Sequence, residues 1–206
     1  MAPVTSTSAL LRYAAAPDRP WRNGRGTARD LHDGGGWTLG VAVIAAAGEF
    51  SDYPGWDRTF VVADGEVDLT VDGTSARLGR GALATFPGEA AVRAAPRVPA
   101  HAVNVMTRRG ERAATVHVER LHGPTPAATA LVLLHGAVRV DGEDLAPFDA
   151  LVPAAAGAGE CRDALVVVVR MDPAAAGPGP DDPVLDDPAP GDPGSTTPAG
   201  PLGGPA

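Results

Sequence analysis

Residues 60–73 read F-V-V-A-D-G-E-V-D-L-T-V-D-G, and the fold follows from this stretch. Val67, Leu69 and Val71 alternate with Glu66, Asp68 and Thr70, the period-2 pattern of a strand with one buried face. Asp64-Gly65 closes the preceding run and Asp72-Gly73 closes this one. Asp-Gly between β-prone segments is a hairpin signal. The pattern returns at residues 131–142, L-V-L-L-H-G-A-V-R-V-D-G, read as strand, turn at Gly136, strand and a second Asp-Gly turn. Leu78, Gly81 and an apolar run to Pro87 follow the first copy; Leu145 and a run to Pro153 follow the second. Self-similarity in fixed order indicates a duplicated unit. No stretch sustains a 3.6-residue apolar period, and Gly and Pro interrupt the body throughout. The chain is therefore expected to be all-β with little helix.

The repeated unit, with Gly81 and Pro87-Gly88 at its last turn, resembles the cupin repeat. That resemblance implies a double cupin, two tandem jelly-roll barrels, which is one way such strand sets hide their edges. The expected organisation is an N-terminal barrel with a ligand pocket over residues 8–115, a shorter and mainly structural barrel over 116–171, and a disordered tail over 172–206. In the shorter barrel only His135 and Arg139 are polar candidates in the hairpin. The tail holds ten Pro, seven Gly and six Asp with no basic residue, too little apolar surface to offset its ordering entropy.

Composition excludes several classes of function. The net charge is −8, whereas nucleic-acid binding requires a basic surface that releases counterions. The same sign opposes docking on anionic lipid. Aromatic residues make up 4% of the chain, so Val, Leu and Ala must build the core. The 17 Arg are accompanied by no Lys, a coding bias and not a function. Cys161 stands alone; it cannot form an internal disulfide, and a small apolar core residue is the expected role. Met1 to Pro20 lacks a basic and an apolar leader region, and no apolar run approaches the ~20 residues of a membrane helix. The expected location is the cytoplasm.

Metal-binding cupins place two His one residue apart on a strand, because only alternate residues face the interior. Here His32, His101, His117, His122 and His135 form no His-x-His. His117-x-Glu119 is the nearest substitute and would need His101 or His122 as a third ligand. No bound metal or cofactor is therefore expected. A metal-free isomerase or hydrolase using His101 or His117 as acid/base stays open as an alternative, as does a structural or stress-related interaction module. No P-loop or dinucleotide fingerprint occurs.

Three dense segments rise from the Ala-rich background: P-W-R-N-G-R-G-T-A-R-D at 20–30, F-S-D-Y-P-G-W-D-R at 50–58 and N-V-M-T-R-R-G at 104–110. Polar groups beside Trp and Gly suit a small-molecule pocket. In extended backbone Arg58 shares a face with Phe60 and Val62, and Asn104 with Met106 and Arg108. An Arg on an inward face needs a partner. A ligand carboxylate would serve, since guanidinium binds it bidentately; an internal ion pair of Arg58 or Arg29 with Asp30 or Asp57 would also serve.

Taken together and in this order, the three segments and Phe86-Pro87-Gly88 resemble the HutD/Ves family of bicupins over about residues 8–171. Arg25 departs from the central Gly of the family's triple-Gly segment. The resemblance implies a binding protein with no established catalytic activity, concerned with histidine utilisation or stress. The expected ligand is a small carboxylate metabolite such as formylglutamate or formiminoglutamate. Arg58 is the leading clamp, Asn104, Asn23 and Arg29 are supporting contacts, and Trp21 or Trp56 is the wall. Thr27, Ser51, Met106 and Arg108 complete the candidate set. A homodimer through sheet edges is the expected assembly.

Overall fold

The computed structural model describes residues 8–21 and 23–173. Most of the tail expected at 172–206 thus lies outside the described residues. The strands are β1 (Ala9–Leu11), β2 (Arg19–Pro20), β3 (Gly26–Gly34), β4 (Trp37–Ile44), β5 (Gly48–Glu49), β6 (Trp56–Asp64), β7 (Glu66–Val71) and β8 (Thr74–Gly79). They continue with β9 (Leu83–Pro87), β10 (Val92–Pro96), β11 (Ala100–Arg108), β12 (Arg112–Pro124), β13 (Ala130–Val140), β14 (Glu143–Asp144), β15 (Ala150–Val152) and β16 (Gly159–Pro173). A single 3-10 turn, Tyr13–Ala15, is the sole helical element among the described residues. The described residues are all-β, and among them no helix is long and apolar enough to cross a membrane.

Three antiparallel sheets form. The central one has the order β2-β3-β4-β11-β6-β9; a second has β5-β10-β7-β8; the third has β1-β15-β13-β16-β12, with β14 added to β13. One face of the central sheet packs Ile44, Phe60, Val62, Ala100 and Ala102 against Val67, Leu69, Val92 and Ala94 of the second sheet. The other face packs Leu39, Val41, Val61, Val103 and Val105 against Ala130, Val132, Leu134, Val167 and Val169 of the third. Cover on both faces explains why β4 is a near-continuous apolar run and why β6 carries the unbroken apolar stretch Phe60–Ala63 instead of an alternation.

Two of the three Asp-Gly pairs form the hairpin turns that the sequence indicates, while Asp64-Gly65 closes no hairpin because β6 and β7 belong to different sheets. Asp72 and Gly73 have φ of 46° and 82°, and Asp141 and Gly142 have 49° and 84°. Positive φ at both central residues is the primed turn that matches the twist of a two-residue hairpin. At Gly65, φ 84°, the chain leaves β6 in the central sheet and enters β7 in the second.

The turn expected at Gly136 is instead a bulge inside one continuous strand. β13 pairs with β16 on both sides of it, with register shifts at 133/135 and 135/137. The bulge changes side-chain parity, so Leu131 and Leu133 before it and Val138 and Val140 after it enter one apolar cluster. Cys161 lies in that cluster, 2% exposed, and burial pushes its thiol pKa up. A Cβ at Gly136 would fall 2.1 Å from the Asp163 carbonyl oxygen, and φ there is 89°.

The N-terminus belongs to the third sheet, not to the strands that follow it. β1 pairs with β15, and the buried Asp149 accepts hydrogen bonds from the Tyr13 amide, the Ala146 amide and the Arg12 guanidinium at 2.8, 2.9 and 2.8 Å. Beside it, His101 stacks on Phe148 with centroids 4.6 Å apart.

Gly136→Ala should destabilise the protein by about 3 kcal/mol, through a strained left-handed residue and a backbone clash; chemical denaturation measures this. Burial lowers the His101 pKa, against a smaller opposing effect of Asp64. The folded state therefore favours neutral imidazole. Its contribution is present above the unfolded value of about 6.5 and is lost as pH falls through the lower folded value. His101→Phe should flatten the stability profile below pH ~6.5 in pH-dependent thermal melts.

Candidate functional site: a cavity against the central sheet

On the second-sheet side of the central sheet the apolar face ends in polar residues. Arg58 on β6 pairs in register with Met106, and Asn104 on β11 pairs with Phe60. All four project from the same face, because residues directly opposite in antiparallel strands share a side. On β4 that face carries Thr38, Gly40 and Ala42, opposite Met106, Asn104 and Ala102. These small side chains leave space, and a cavity of about 670 Å³ opens above them. The stretch from Glu49 to Tyr53 and the segment Arg19 to Trp21 form its walls.

Arg58 is the unusual group in this cavity. It is 7% exposed. Its guanidinium carbon lies 5.2 Å from the Phe50 ring centroid, 5.1 Å from Tyr53 and 5.9 Å from Phe86. Among the described residues its only hydrogen bond is a long one, 3.4 Å, from an η nitrogen to the Ser51 carbonyl. Its Nε has no partner. The two carboxylates that the sequence offered to it are taken: Asp30 pairs with Arg19, and Asp57 pairs with Arg109 at 2.8 Å. Desolvation costs a buried ion several kcal/mol, and each aromatic face returns about 0.5–2 kcal/mol. A ring offers no lone pair to an N–H in the guanidinium plane. Burial accordingly lowers the Arg58 pKa, opposed by a smaller effect of Tyr53. Nearby, Asn104 Oδ1 is buried without a donor. One cavity thus holds an unmatched donor and an unmatched acceptor.

The candidate residues separate into three groups. Arg58, Asn104, Met106, Trp21, Asn23 and Ser51 come together around the cavity. Asn23 is already engaged, since its Oδ1 accepts from the Arg25 amide and its Nδ2 donates to the Glu49 carbonyl. Trp21 packs edge-on to Phe50 at 5.9 Å. Thr27 and Arg29 do not reach the cavity. They pair with Val43 and Val41 and so share the face turned to the third sheet. There Arg29 donates to the carbonyls of Tyr13, Ala14 and Ala16 and lies 3.7 Å from Asp18. Trp56 and Arg108 also lie outside the lining. The Arg108 guanidinium sits 5.2 Å above the Trp56 ring and 3.5 Å from Glu111.

The histidines do not converge on the cavity either. His117 and Glu119 contact each other at 3.4 Å on β12, exposed, and His101 faces Phe148 on the opposite side of the central sheet. Among the described residues no group of three or more His, Cys, Asp or Glu could hold a metal ion.

Several contributors were not chosen from the sequence. Phe50, Tyr53 and Phe86 cage Arg58, and Asp30, Glu49 and Asp52 bring carboxylates to the lining. A signal for the cavity floor did exist: in W-T-L-G-V-A-V-I the small residues Thr38, Gly40 and Ala42 alternate with the large Trp37, Leu39 and Val41. Arg109 holds the outer wall in place. It bonds Asp57, Glu89 and the Trp56 carbonyl, and its amide donates to Gly55. The bond from Arg109 holds the Glu89 carboxyl below its ordinary pKa.

A double-cupin fold with a buried guanidinium, unpaired among the described residues, at a cavity against its central sheet defines a cupin built around a polar pocket. The sequence matches the HutD family over residues 13–165, and the chain belongs to that family. An uncharacterised 21.2 kDa protein from the region 3′ of hutC in Pseudomonas putida is 38% identical over 76 residues, a match that spans 33% of this chain and 40% of that protein. HutD from Pseudomonas fluorescens SBW25 is 25% identical with a TM-score of 0.65, over 81% of this chain and all of that one (100%). A conserved protein of unknown function from Pseudomonas aeruginosa PAO1 reaches a TM-score of 0.67 at 24% identity, with the same coverage, 81% and 100%. A cupin 2 conserved barrel domain protein from Leptotrichia buccalis, 9% identical with a TM-score of 0.55 over 84% of this chain and 100% of that one, shares the fold alone.

Arg58→Met keeps the apolar stem and removes the unpaired charge. It should raise stability by about 1 kcal/mol, roughly 2–4 °C in Tm for a chain of this size. A thermal melt of the ligand-free protein measures this; a fall in Tm would mean that the ring contacts already satisfy the guanidinium.

Proposed function

We propose that this HutD-family protein is a non-enzymatic receptor for a small carboxylate metabolite of the formylglutamate or formiminoglutamate kind, serving regulation of histidine utilisation or a stress response. The observation that carries the reading is Arg58, buried and charged with no carboxylate partner, at a cavity of metabolite size. A retained buried charge that destabilises its own fold is the mark of a site kept for a ligand. A ligand carboxylate would accept from the Arg58 guanidinium in the plane that the rings leave open. A ligand N–H or O–H would donate to Asn104 Oδ1, which has no donor in the protein. Together the two groups ask for an acceptor pair and a donor a few atoms apart, as in an N-substituted amino acid. The position of the Pseudomonas putida relative beside hutC supports the link to histidine utilisation.

Calorimetric titration of the full chain with formylglutamate and with formiminoglutamate tests this. Saturable heat is expected with wild type. Arg58→Ala should weaken binding at least about thirtyfold and Asn104→Ala about tenfold, the losses for a charged and a neutral hydrogen bond. No heat with either compound, or equal binding by Arg58→Ala, overturns the reading.

A further inference from the structure

The charge around the cavity is not uniform. Arg58, at the closed end, is the cation without a partner. Asp30, Glu49 and Asp52 also line the cavity, so three carboxylates face two arginines. Asp30 is neutralised by Arg19. Glu49 and Asp52 are exposed, and neither has a cation within ion-pair distance among the described residues. Arg25 packs against Gly48 but neither lines the cavity nor pairs with Glu49. The cavity therefore carries a positive charge without an ion-pair partner at its buried end and two carboxylates at its rim, Glu49 standing opposite Arg93 in register but outside ion-pair distance.

A simple anion gains at one end of such a cavity and loses at the other. A ligand with a carboxylate and, a few atoms away, a cationic nitrogen gains at both. We infer that the Glu49–Asp52 rim selects zwitterionic ligands, whose carboxylate meets Arg58 and whose ammonium or amidinium group meets the rim carboxylates. The inference rests on the carboxylate reading above and goes beyond it by assigning the opposite end of the ligand. Desolvation is smaller at the rim than at Arg58, so the effect belongs to the range of solvent-exposed ion pairs. It acts on discrimination more than on raw affinity.

Formylglutamate and formiminoglutamate form a matched pair of probes. They share one skeleton and both carboxylates, and they differ in a neutral formyl oxygen against a protonated formimino nitrogen. Calorimetry with the full-length protein should show the formimino compound bound about fivefold or more tightly at low salt, with the ratio shrinking as salt screens the rim. Glu49→Gln with Asp52→Asn should bring the ratio close to one, chiefly by weakening the formimino compound. Equal wild-type affinities, or a preference that survives the double substitution, overturn the rim assignment and leave Arg58 as the carboxylate clamp. Binding of neither compound overturns the carboxylate reading itself.

Discussion

The central sheet has no face turned to water, and the rest of the structure answers to that constraint. A strand covered on both sides must be apolar at every position, or each polar side chain must find a partner within the protein or in a ligand. β4, β6 and β11 meet the first condition over most of their length. Thr59 meets the second by bonding Thr85 at 3.1 Å. Arg58 and Asn104 leave donor and acceptor atoms that meet neither. His32 and His101 also hold buried nitrogens without a partner, on the other face; Arg58 and Asn104 lie diagonally across the β6–β11 pairing on one face and line one cavity, which separates a site from scattered imperfections of packing.

Much of this was legible in the sequence because backbone periodicity and turn chemistry are local. The alternation at residues 66–71 became β7, and Asp72-Gly73 and Asp141-Gly142 became primed turns, whereas Asp64-Gly65 carries the chain between two sheets. The phase of Arg58 with Phe60 and of Asn104 with Met106 was readable strand by strand, and the register of β6 on β11 brings the two pairs onto a common face. Gly136 was not legible as a bulge, since a glycine between two apolar runs looks the same whether the chain turns or stays in the ladder. The approach of the Asp163 carbonyl is what requires it, and that contact is remote in sequence.

The site was legible in its dense segments but not in its sides. In G-T-A-R-D no apolar alternation marks which residues face inward, so Thr27 and Arg29 looked equivalent to Ala28 and Asp30. The register of β3 on β4 puts Ala28 and Asp30 on the cavity side. Glu49 and Asp52 read as ordinary surface acids, because nothing local says that the surface they occupy is a rim. The aromatic cage was hidden for a different reason. Phe86 comes from β9, a strand that reaches Arg58 only through sheet pairing.

The docking of β1 onto β15 has a consequence for how the protein is made. Arg12 and Asp149 are 137 residues apart in the chain, and the third sheet takes its edge strand, Ala9–Leu11, from a segment synthesised long before its partner β15. That strand must stay unpaired while the intervening sheets are synthesised. Contacts of such separation close a large loop before they are rewarded, which slows folding and favours late, concerted completion. A nascent chain halted after the first barrel would carry an apolar N-terminal segment, Ala9–Leu11, without its acceptor edge. Synthesis of β15 ends that exposure, so the arrival of a late strand locks the early one into the third sheet.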